Sequence, residues 1–321
     1  MAPAGGGPGP AVSDSPLLPP LPRGSTVTVG SFDGVHLGHQ AVLREIARRA
    51  ADAGRASVLV TFEPHPLEVV NPQAAPPLLT TGPERREILA QTPLDYVYFL
   101  RFDRRLAGFT PEEFVRRVLI GRCGMRELVI GHDHGFGRGR SGDVETLRRL
   151  GAEDGFEVDV VAAVEVGDQH VSSSRIRRAV AGGDLVTAAR MLGRPYSVSG
   201  QVGQGERRGR LLGVPTINLA DVPPQKLLPP DGVYAVRVEW RGGRTGGMMN
   251  QGPRPTFQEG RRVLEAHLFG FEGDLYGEWV RIEWVERLRD VKRFASVEQL
   301  QQQLERDRSR ALAVLGRTPA A

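Results

Sequence analysis

Two histidines stand three residues apart in the stretch "VTVGSFDGVHLGHQAVL" (27–43), directly after an apolar strand pattern. These histidines, His36 and His39, lie where the strand pattern gives way to a helix pattern. A helix N-terminus attracts anions because its first N–H groups lack partners within the helix and its dipole is positive there. Imidazole N–H groups added at that point would hold phosphates. An ordinary polar surface pair or half of a metal site would have the same spacing, although no obvious third metal ligand accompanies them.

A second candidate phosphate-binding stretch is "SSSRIR" (172–177). Ser173 and Ser174 offer hydroxyl groups at a helix start, and Arg177 offers a forked guanidinium. By itself, this stretch could equally be an ordinary helix cap followed by a solvated arginine. Its occurrence together with the two histidines favours a binding site for phosphates.

The second half of the chain contains a loop rich in glycine and arginine, within "GQVGQGERRGRLLGVPTINL" (200–219). It lacks the GK[ST] sequence of a Walker A loop, and the spacing of Gly203, Gly205 and Gly209 does not match the dinucleotide-binding fingerprint. Backbone N–H groups in such a loop can contact phosphates. A flexible basic hairpin would have the same composition, so the loop alone does not decide between the two.

Oxygen-bearing side chains follow this loop and recur farther along the chain. Thr216 and Asn218 alternate along a strand pattern and therefore face one side. Hydroxyl and amide oxygens suit Mg²⁺, which keeps its waters and bridges phosphates. In "VLEAHLFGFEGDLYG" (263–277), alternation places Glu265 and His267 together on one face. Judged alone, Glu265 would be an ordinary surface carboxylate.

The elements that must position these residues are of two kinds. Over about residues 25–180, strand patterns alternate with helix patterns, which predicts a doubly wound parallel sheet covered by helices. Ligands bind such sheets beyond the carboxyl ends of the strands. The blocks "GSFDGVHLGH", "FEPHP" and "GHDHGFGRG" all follow strand patterns. We therefore expect them to meet at one edge of the sheet.

The pattern of predicted elements changes after two short helix patterns at 172–196. Residues 197–285 show short β-type runs between Gly- and Pro-rich turns, which is typical of a small barrel or sandwich, and a final helix pattern follows. We expect one domain over residues 25–183 and another over 184–321. The first 24 residues contain seven Pro and five Gly, so we expect a disordered tail there.

The composition excludes several classes of protein. With 321 residues, 40% hydrophobic and 25% charged, the chain is typical of a globular protein of two domains. One cysteine allows no disulfide within the chain, and no apolar run approaches the ~18 residues of a membrane span. A net charge of +4 is weak support for nucleic-acid binding. We expect a cytoplasmic protein.

The motifs taken together resemble a known family. "GSFDGVHLGH", "TFEPHP", "GHDHGFGRG" and "SSSRIR" resemble the FAD synthetase module of bacterial bifunctional riboflavin kinase/FAD synthetases, which is similar to other HxGH nucleotidyltransferases. "PTIN", "VLEAHLFGFEGDLYG" and the closing "ERLRDVKRFASVEQL" resemble the riboflavin kinase module. The resemblance implies a Rossmann-like nucleotidyltransferase domain followed by an antiparallel β-barrel kinase domain with a C-terminal helix.

For the first domain, the resemblance implies adenylyl transfer from ATP to FMN, which gives FAD and pyrophosphate. The negative charge that grows on the leaving pyrophosphate calls for positioning and charge stabilisation. The residues implied for ATP and its phosphates are Gly30, Phe32, Asp33, His36, His39, Ser173, Ser174 and Arg177. Those implied for the flavin side or the neighbouring loop are His65, Asp133 and Phe136.

For the second domain, the resemblance implies phosphorylation of riboflavin by ATP to give FMN. Glu265 would be the general base for the terminal ribityl hydroxyl. Thr216 and Asn218 would hold Mg²⁺. The residues implied for ATP are Gly203, Gly205, Gly209, Thr216, Asn218 and Asn250, and those for flavin are Arg289 and Phe294. The chain has Ile217 and Gln251 where the family usually has other residues, and we expect activity to survive both changes.

Two other functions are weighed against this one. The first domain could serve another phosphorylated metabolite, with the second as a binding or regulatory module, but the Thr216 and Glu265 blocks argue against that. A β domain that binds nucleic acid is disfavoured because the basic loop has no interleaved aromatic residues to stack on bases. The expected partners are therefore riboflavin, FMN and ATP, without nucleic acid or membrane, and homo-oligomerisation is left open.

Overall fold

The computed structural model describes residues 9–14, 18–131, 143–167, 169–203, 216–220, 222–253 and 262–317. The chain divides into two compact units, Met1–Ser173 and Ser174–Ala321. The expected boundary after residue 183 lies farther along the chain, because the helix that begins at Ser173 groups, apart from this first residue, with the second unit. In the part of the chain that is described, no helix is both long enough and apolar enough to cross a bilayer.

The first unit is built on a six-stranded sheet. Its strands are β1 (Ala11–Ser13), β2 (Ser25–Val29), β3 (Ala56–Glu63), β4 (Tyr96–Arg101), β5 (Met125–Gly131) and β6 (Glu157–Val161). Its helices are α1 (Leu37–Ala53), α2 (Pro66–Val70), α3 (Gly82–Leu89), α4 (Arg104–Ala107), α5 (Pro111–Phe114) and α6 (Val144–Asp154). A 3₁₀ turn spans Pro72–Ala74, and a π-helical turn, Val115–Ile120, continues α5.

All strand pairs of this sheet are parallel, in the order β1-β4-β3-β2-β5-β6. The direction of strand addition reverses at β2, so the topological switch point lies between β2 and β5, where doubly wound sheets bind their ligands. Both faces of the sheet are covered by apolar side chains, as successive residues of β3 show. Val58 and Val60 belong to one buried cluster and Leu59 to the other. The expected doubly wound domain is confirmed.

The expectation of a disordered tail was wrong for the described residues before Ser25. Ala11–Ser13 forms β1, which pairs with the edge of β4 in parallel register. Val12 packs against the apolar cluster that contains Leu59, while Leu18 and Leu21 pack against the opposite one. Backbone hydrogen bonds to β4 and burial of a few apolar side chains stabilise this segment. The amino-acid composition alone reveals neither contribution.

The second unit is a closed barrel of antiparallel strands in the order β10-β11-β8-β7-β12-β9. The strands are β7 (Ser197–Gly203), β8 (Ile217–Leu219), β9 (Gly232–Trp240), β10 (Gly243–Pro253), β11 (Arg262–Leu268) and β12 (Trp279–Arg289). The helices are α7 (Ser173–Ala181), α8 (Leu185–Leu192) and a C-terminal helix (Val297–Arg317). This confirms the expected barrel and closing helix.

The C-terminal helix packs against the outside of the barrel. Its Ala311 and Val314 form a buried cluster with Val233, Ala235 and Met248 of β9 and β10. A bidentate ion pair adds to this packing, because the Arg289 guanidinium donates to both carboxylate oxygens of Asp307, at 2.7–3.0 Å. The end of β12 is thereby tied to the helix.

We expect Val12→Asp to destabilise the first unit by about 1–3 kcal/mol, because it places a carboxylate against an apolar cluster. Ala11→Asp is the matched control, since Ala11 is exposed, and its effect should stay within about 0.5 kcal/mol. Calorimetry reports both units. Fluorescence reports the second unit alone, because the three tryptophans, Trp240, Trp279 and Trp284, all lie there. Equal losses in the two variants would show that β1 does not contribute to the core.

Candidate active sites

The histidine pair of the first unit lies at the start of α1. His36 is the N-cap residue, and its Nδ1 accepts a hydrogen bond from the backbone N–H of His39, at 3.2 Å. The two imidazole rings are stacked, with centroids 3.6 Å apart and planes 15° from parallel. Because Nδ1 of His36 is an acceptor, the proton of the neutral ring is on Nε2. The pair therefore places imidazole N–H groups beside a helix N-terminus.

Gly38 makes this stacking feasible. A Cβ atom at that position would lie 3.2 Å from both Cε1 and Nδ1 of His36. This is closer than about nine in ten Cβ contacts in proteins, and the imidazole would have to give by a few tenths of an ångström. The glycine of the HxGH pattern thus leaves room for the His36 ring in its stacked position.

The turn that leads into α1 has an unusual backbone. Phe32 and Val35 have φ values of 48° and 38°, in the left-handed region that non-glycine residues rarely adopt. Both side chains are buried, and the Phe32 ring lies 4.5 Å from that of His39. Gly30 comes directly before the turn, and a Cβ atom there would lie 3.1 Å from the Phe32 ring. Phe32 therefore belongs to the core beneath the histidines.

Asp33 stabilises the turn before α1 through hydrogen bonds to its buried carboxylate. Its side chain is only 1% exposed, and its carboxylate oxygens accept hydrogen bonds from Leu79 N (2.9 Å), Thr80 N (2.8 Å) and Thr80 Oγ1 (3.0 Å). Thr80 Oγ1 also accepts from Gly34 N, at 2.9 Å. The expectation that Asp33 contacts phosphate stays a prediction, and its buried position favours an anchoring role.

The serine and arginine residues expected at this site are divided between the two units. Ser173, the last residue of the first unit, donates from Oγ to the carbonyl oxygen of Asp33, at 3.0 Å. It therefore contacts the same turn. Ser174 and Arg177 lie on α7 in the second unit, the former exposed and the latter half-buried. Their assignment to phosphate stays a prediction.

His65 occupies a similar position after the neighbouring strand. It is the N-cap residue of α2, and its Nδ1 accepts from Leu67 N, at 3.3 Å. Its own N–H donates to Glu68 Oε2, at 2.9 Å, which completes a capping box. Asp133 and Phe136, expected in the neighbouring loop, lie outside the described residues, as do Gly205 and Gly209 of the second unit.

In the second unit, the expected residues occupy one row across the barrel. Asn250 of β10 is directly opposite Glu265 of β11, which is opposite Asn218 of β8. Asn218 is in turn opposite Gly203 of β7. Directly opposed residues of antiparallel strands project to the same face. Strand pairing thus gathers side chains from three separate motifs.

A hydrogen bond completes this row. Thr216 Oγ1 donates to Glu265 Oε1, at 2.6 Å. The expected alternation is confirmed, because Ile217 and Leu219 are buried while Thr216 and Asn218 are only partly so. The neighbours of Glu265, Leu264 and Ala266, are likewise buried. The functional side chains therefore lie on the outer face of the barrel wall.

The row offers hydroxyl, amide and carboxylate oxygens, which are the donors that Mg²⁺ prefers. Among the described residues, no cluster of three or more His, Cys, Asp or Glu side chains could hold a metal ion. Oxygen ligands from Thr216 and Asn218 together with substrate phosphates fit Mg²⁺ better than an ion that needs a cage of charged ligands.

The two residues expected to contact flavin lie near each other. The Arg289 guanidinium carbon is 5.7 Å from the centroid of the Phe294 ring. However, the guanidinium is already bound to Asp307, and its Nη1 donates to the carbonyl of Asp290, at 2.8 Å. The sequence did not suggest this partner. The flavin role of Arg289 stays a prediction, beside the structural role that the ion pair shows.

The departure from the family pattern at Gln251 has a physical compensation. Gln251 is fully buried, and its Nε2 donates to the carbonyl of Pro229, at 2.6 Å. Its Oε1 accepts from Trp284 Nε1, at 3.2 Å. Both ends of the amide are therefore paired inside the barrel. Burial of this polar group is tolerated because its hydrogen bonds are made.

Comparisons with known proteins cover both units. A family model described as FAD synthetase matches residues 18–175, and one described as riboflavin kinase matches residues 192–315. A bifunctional riboflavin kinase/FMN adenylyltransferase from Pseudomonas fluorescens is 38% identical over 298 residues, which cover 92% of this chain and 95% of that protein. The chain belongs to this bifunctional family.

Two further comparisons also cover most of the chain. The bifunctional riboflavin kinase/FMN adenylyltransferase of Escherichia coli K12 is 37% identical over 93% of this chain and 95% of its own length. A crystal structure described as a macrolide-efflux protein from Streptococcus pneumoniae matches with a TM-score of 0.80 at 31% identity, over 93% of this chain and 97% of that one. These matches span both units of the chain.

We expect Gly38→Ala to lower the rate of FAD formation while FMN formation persists. Alanine is more favourable than glycine within a helix by about 1 kcal/mol, so the loss would not come from a weaker α1. It would come from displacement of the His36 ring. Gly316→Ala is the control, because a Cβ there meets no atom within 4 Å. Steady-state assays of both activities make the comparison, and an unimpaired Gly38→Ala would refute the steric role of this glycine.

Proposed function

We propose that the protein converts riboflavin to FAD in two steps at separate sites. The second unit phosphorylates riboflavin with ATP to give FMN and ADP. The first unit transfers the adenylyl group of a second ATP to FMN and releases pyrophosphate. The row Asn250–Glu265–Asn218, with Thr216 bonded to Glu265, carries the kinase assignment, because it joins a candidate base to candidate phosphate-side ligands.

In the kinase step, the Glu265 carboxylate is the general base. It takes the proton of the terminal ribityl hydroxyl while that oxygen attacks the γ-phosphorus and the bond to the β–γ bridging oxygen breaks. The hydrogen bond from Thr216 Oγ1 to Oε1 fixes the orientation of the carboxylate. Oε2 is then the oxygen that accepts the proton. This division supports a catalytic rather than a surface role for Glu265.

Thr216 and Asn218 are the residues that would hold Mg²⁺ in this step. When bound, the ion neutralises charge on the phosphates of ATP. The side chains themselves contribute neutral oxygens at one end of the row. Asn250, at the other side of Glu265, can donate an amide hydrogen bond to a phosphate or a substrate hydroxyl.

In the adenylyl transfer step, a phosphate oxygen of FMN attacks the α-phosphorus of ATP, and the bond to the pyrophosphate leaving group breaks. His36, His39 and the first backbone N–H groups of α1 stabilise the negative charge that develops on pyrophosphate. The stacked rings and the cap to His36 Nδ1 orient the imidazoles before the substrate binds. This preorganisation supports a phosphate-binding role over that of a polar surface pair.

The proposed substrates are the small molecules riboflavin, FMN and ATP. The need for ATP favours the cytoplasm as the place of action. Homo-oligomerisation and the absence of nucleic-acid or membrane partners stay predictions. One experiment tests the central proposal: purified protein is incubated with riboflavin, ATP and Mg²⁺, and the products are separated by chromatography. Formation of neither FMN nor FAD would refute it.

We expect Glu265→Gln to lower the rate of FMN formation by a factor of roughly 10²–10⁴, because the amide cannot accept the hydroxyl proton. FAD formation from supplied FMN should continue at the wild-type rate. Glu272→Gln is the matched control, since Glu272 is an exposed carboxylate in the loop after β11. Separate assays with riboflavin and with FMN measure the two steps. Unchanged FMN formation in Glu265→Gln would remove Glu265 as the base.

His39→Ala should have the opposite effect, with FAD formation lost and FMN formation retained, because only the first unit loses a phosphate-binding group. His170→Ala serves as the control, since His170 is exposed and lies beside Glu165. The same pair of assays applies. Loss of both activities in a folded His39→Ala protein would contradict the assignment of the two steps to independent sites.

A further inference from the structure

Arg85 of α3 is a buried cation to which neither proposed step assigns a role. It is 4% exposed, and among the described residues it forms no ion pair. Its guanidinium instead donates to two backbone carbonyls, from Nη1 to Ser31 O at 2.8 Å and from Nη2 to Phe62 O at 2.6 Å. Burial lowers the pKa of Arg85, and the carboxylates of Asp33 and Glu63 offset this in part. A charge buried in this way is costly, so its two bonds call for an explanation.

The two carbonyls mark the point where neighbouring strands separate. Gly30 N still donates to Val60 O, at 3.1 Å, in continuation of the pairing between β2 and β3. Alternate carbonyls of a strand point to the same side, so Phe62 O also faces the β2 side. At the level of Phe62, however, β2 has already ended, and the residues after it form the left-handed turn at Phe32. Arg85 supplies the donor that β2 no longer provides.

Each of the two carbonyls belongs to a residue that comes shortly before a candidate ligand-binding segment in the chain. Ser31 opens the turn that ends in His36, and Phe62 comes three residues before His65. Ser31 O also accepts from Thr61 Oγ1, at 3.2 Å, so a side chain of β3 fixes it as well. The planar fork of an arginine holds its two acceptors in a defined geometry, which a lysine cannot do. Arg85 thus ties the phosphate-side turn to the segment that carries His65.

We propose that Arg85 is a positioning residue for FMN adenylylation, which sets the placement of the His36 turn relative to the His65 segment. This inference rests on the adenylyl transfer proposed for the first unit. Because Arg85 is buried and its guanidinium is held by two backbone carbonyls, we assign it no contact with the reacting atoms. It acts through the two carbonyls, and its loss would let the two segments shift while each keeps its own helix cap.

The test is Arg85→Lys, which keeps a positive charge but cannot bridge both carbonyls. We expect kcat for FAD formation to fall roughly 100-fold, as misplacement by about 1 Å does in other enzymes, with smaller changes in KM for ATP and FMN. Riboflavin kinase activity of the same chain should be unchanged. Arg86→Lys is the matched control, because Arg86 lies over the Phe99 ring and bonds to carboxylates of Glu63 and Asp14 rather than to the turn.

A second variant keeps the test independent of stability. Thr61→Val removes the other donor to Ser31 O without changing the shape of the side chain much. If both residues act through that carbonyl, the effects of Thr61→Val and Arg85→Lys on kcat will be non-additive in the double variant. Calorimetry confirms that the first unit is folded at the assay temperature.

The outcomes separate this inference from the proposed function. If the wild-type protein makes no FAD, the proposed function itself fails. If the wild type makes FAD and folded Arg85→Lys does so with full kcat, only the positioning role is overturned. A fall in kinase activity to the same extent, or additive effects of the two substitutions, would also overturn it.

Discussion

The left-handed turn between β2 and α1 is the constraint on which the first active site depends. Phe32 and Val35 adopt positive φ values that cost of order 1–3 kcal/mol each. Burial of their side chains and the hydrogen bonds of Asp33 offset this cost. At the end of this turn His36 caps α1, and its ring stacks on that of His39 in the first turn of the helix. A looser turn would leave the same residues in the sequence but would not orient them as the proposed phosphate site requires.

In the second unit, the candidate site depends on strand register and not on a strained turn. Closure of the barrel fixes which residues of β8, β10 and β11 are opposite one another. A slip by one residue would turn Glu265 into the barrel and bring Leu264 out, because side chains alternate between faces. Asn218, Asn250 and Glu265 meet because of this register and not because of their separation in the chain. The buried amide of Gln251, bonded to Trp284 and Pro229, helps to hold β10 in that register.

The division of labour between the two units explains their different chemistry. Adenylyl transfer needs stabilisation of a leaving pyrophosphate, the role proposed for the imidazoles and the N-terminus of α1. Phosphorylation of a hydroxyl also needs a base, the role proposed for Glu265, whose carboxylate accepts an orienting hydrogen bond from Thr216. Membership of the bifunctional family accounts for the presence of both candidate sites in one chain.

The sequence by itself determined the order and type of the elements, the two fold classes and the motifs, because periodicity and residue chemistry are local. It also placed Thr216 with Asn218 and Glu265 with His267, since strand alternation requires nothing more. The tertiary structure alone decided the strand at residues 11–13, the burial of Asp33 and the partners of Arg85. Asp33 and Leu79 are 46 residues apart in the chain, and Arg85 and Ser31 are 54 apart. Only the folded sheet brings such partners within hydrogen-bond distance, so no local pattern could reveal which carbonyl or carboxylate each one holds.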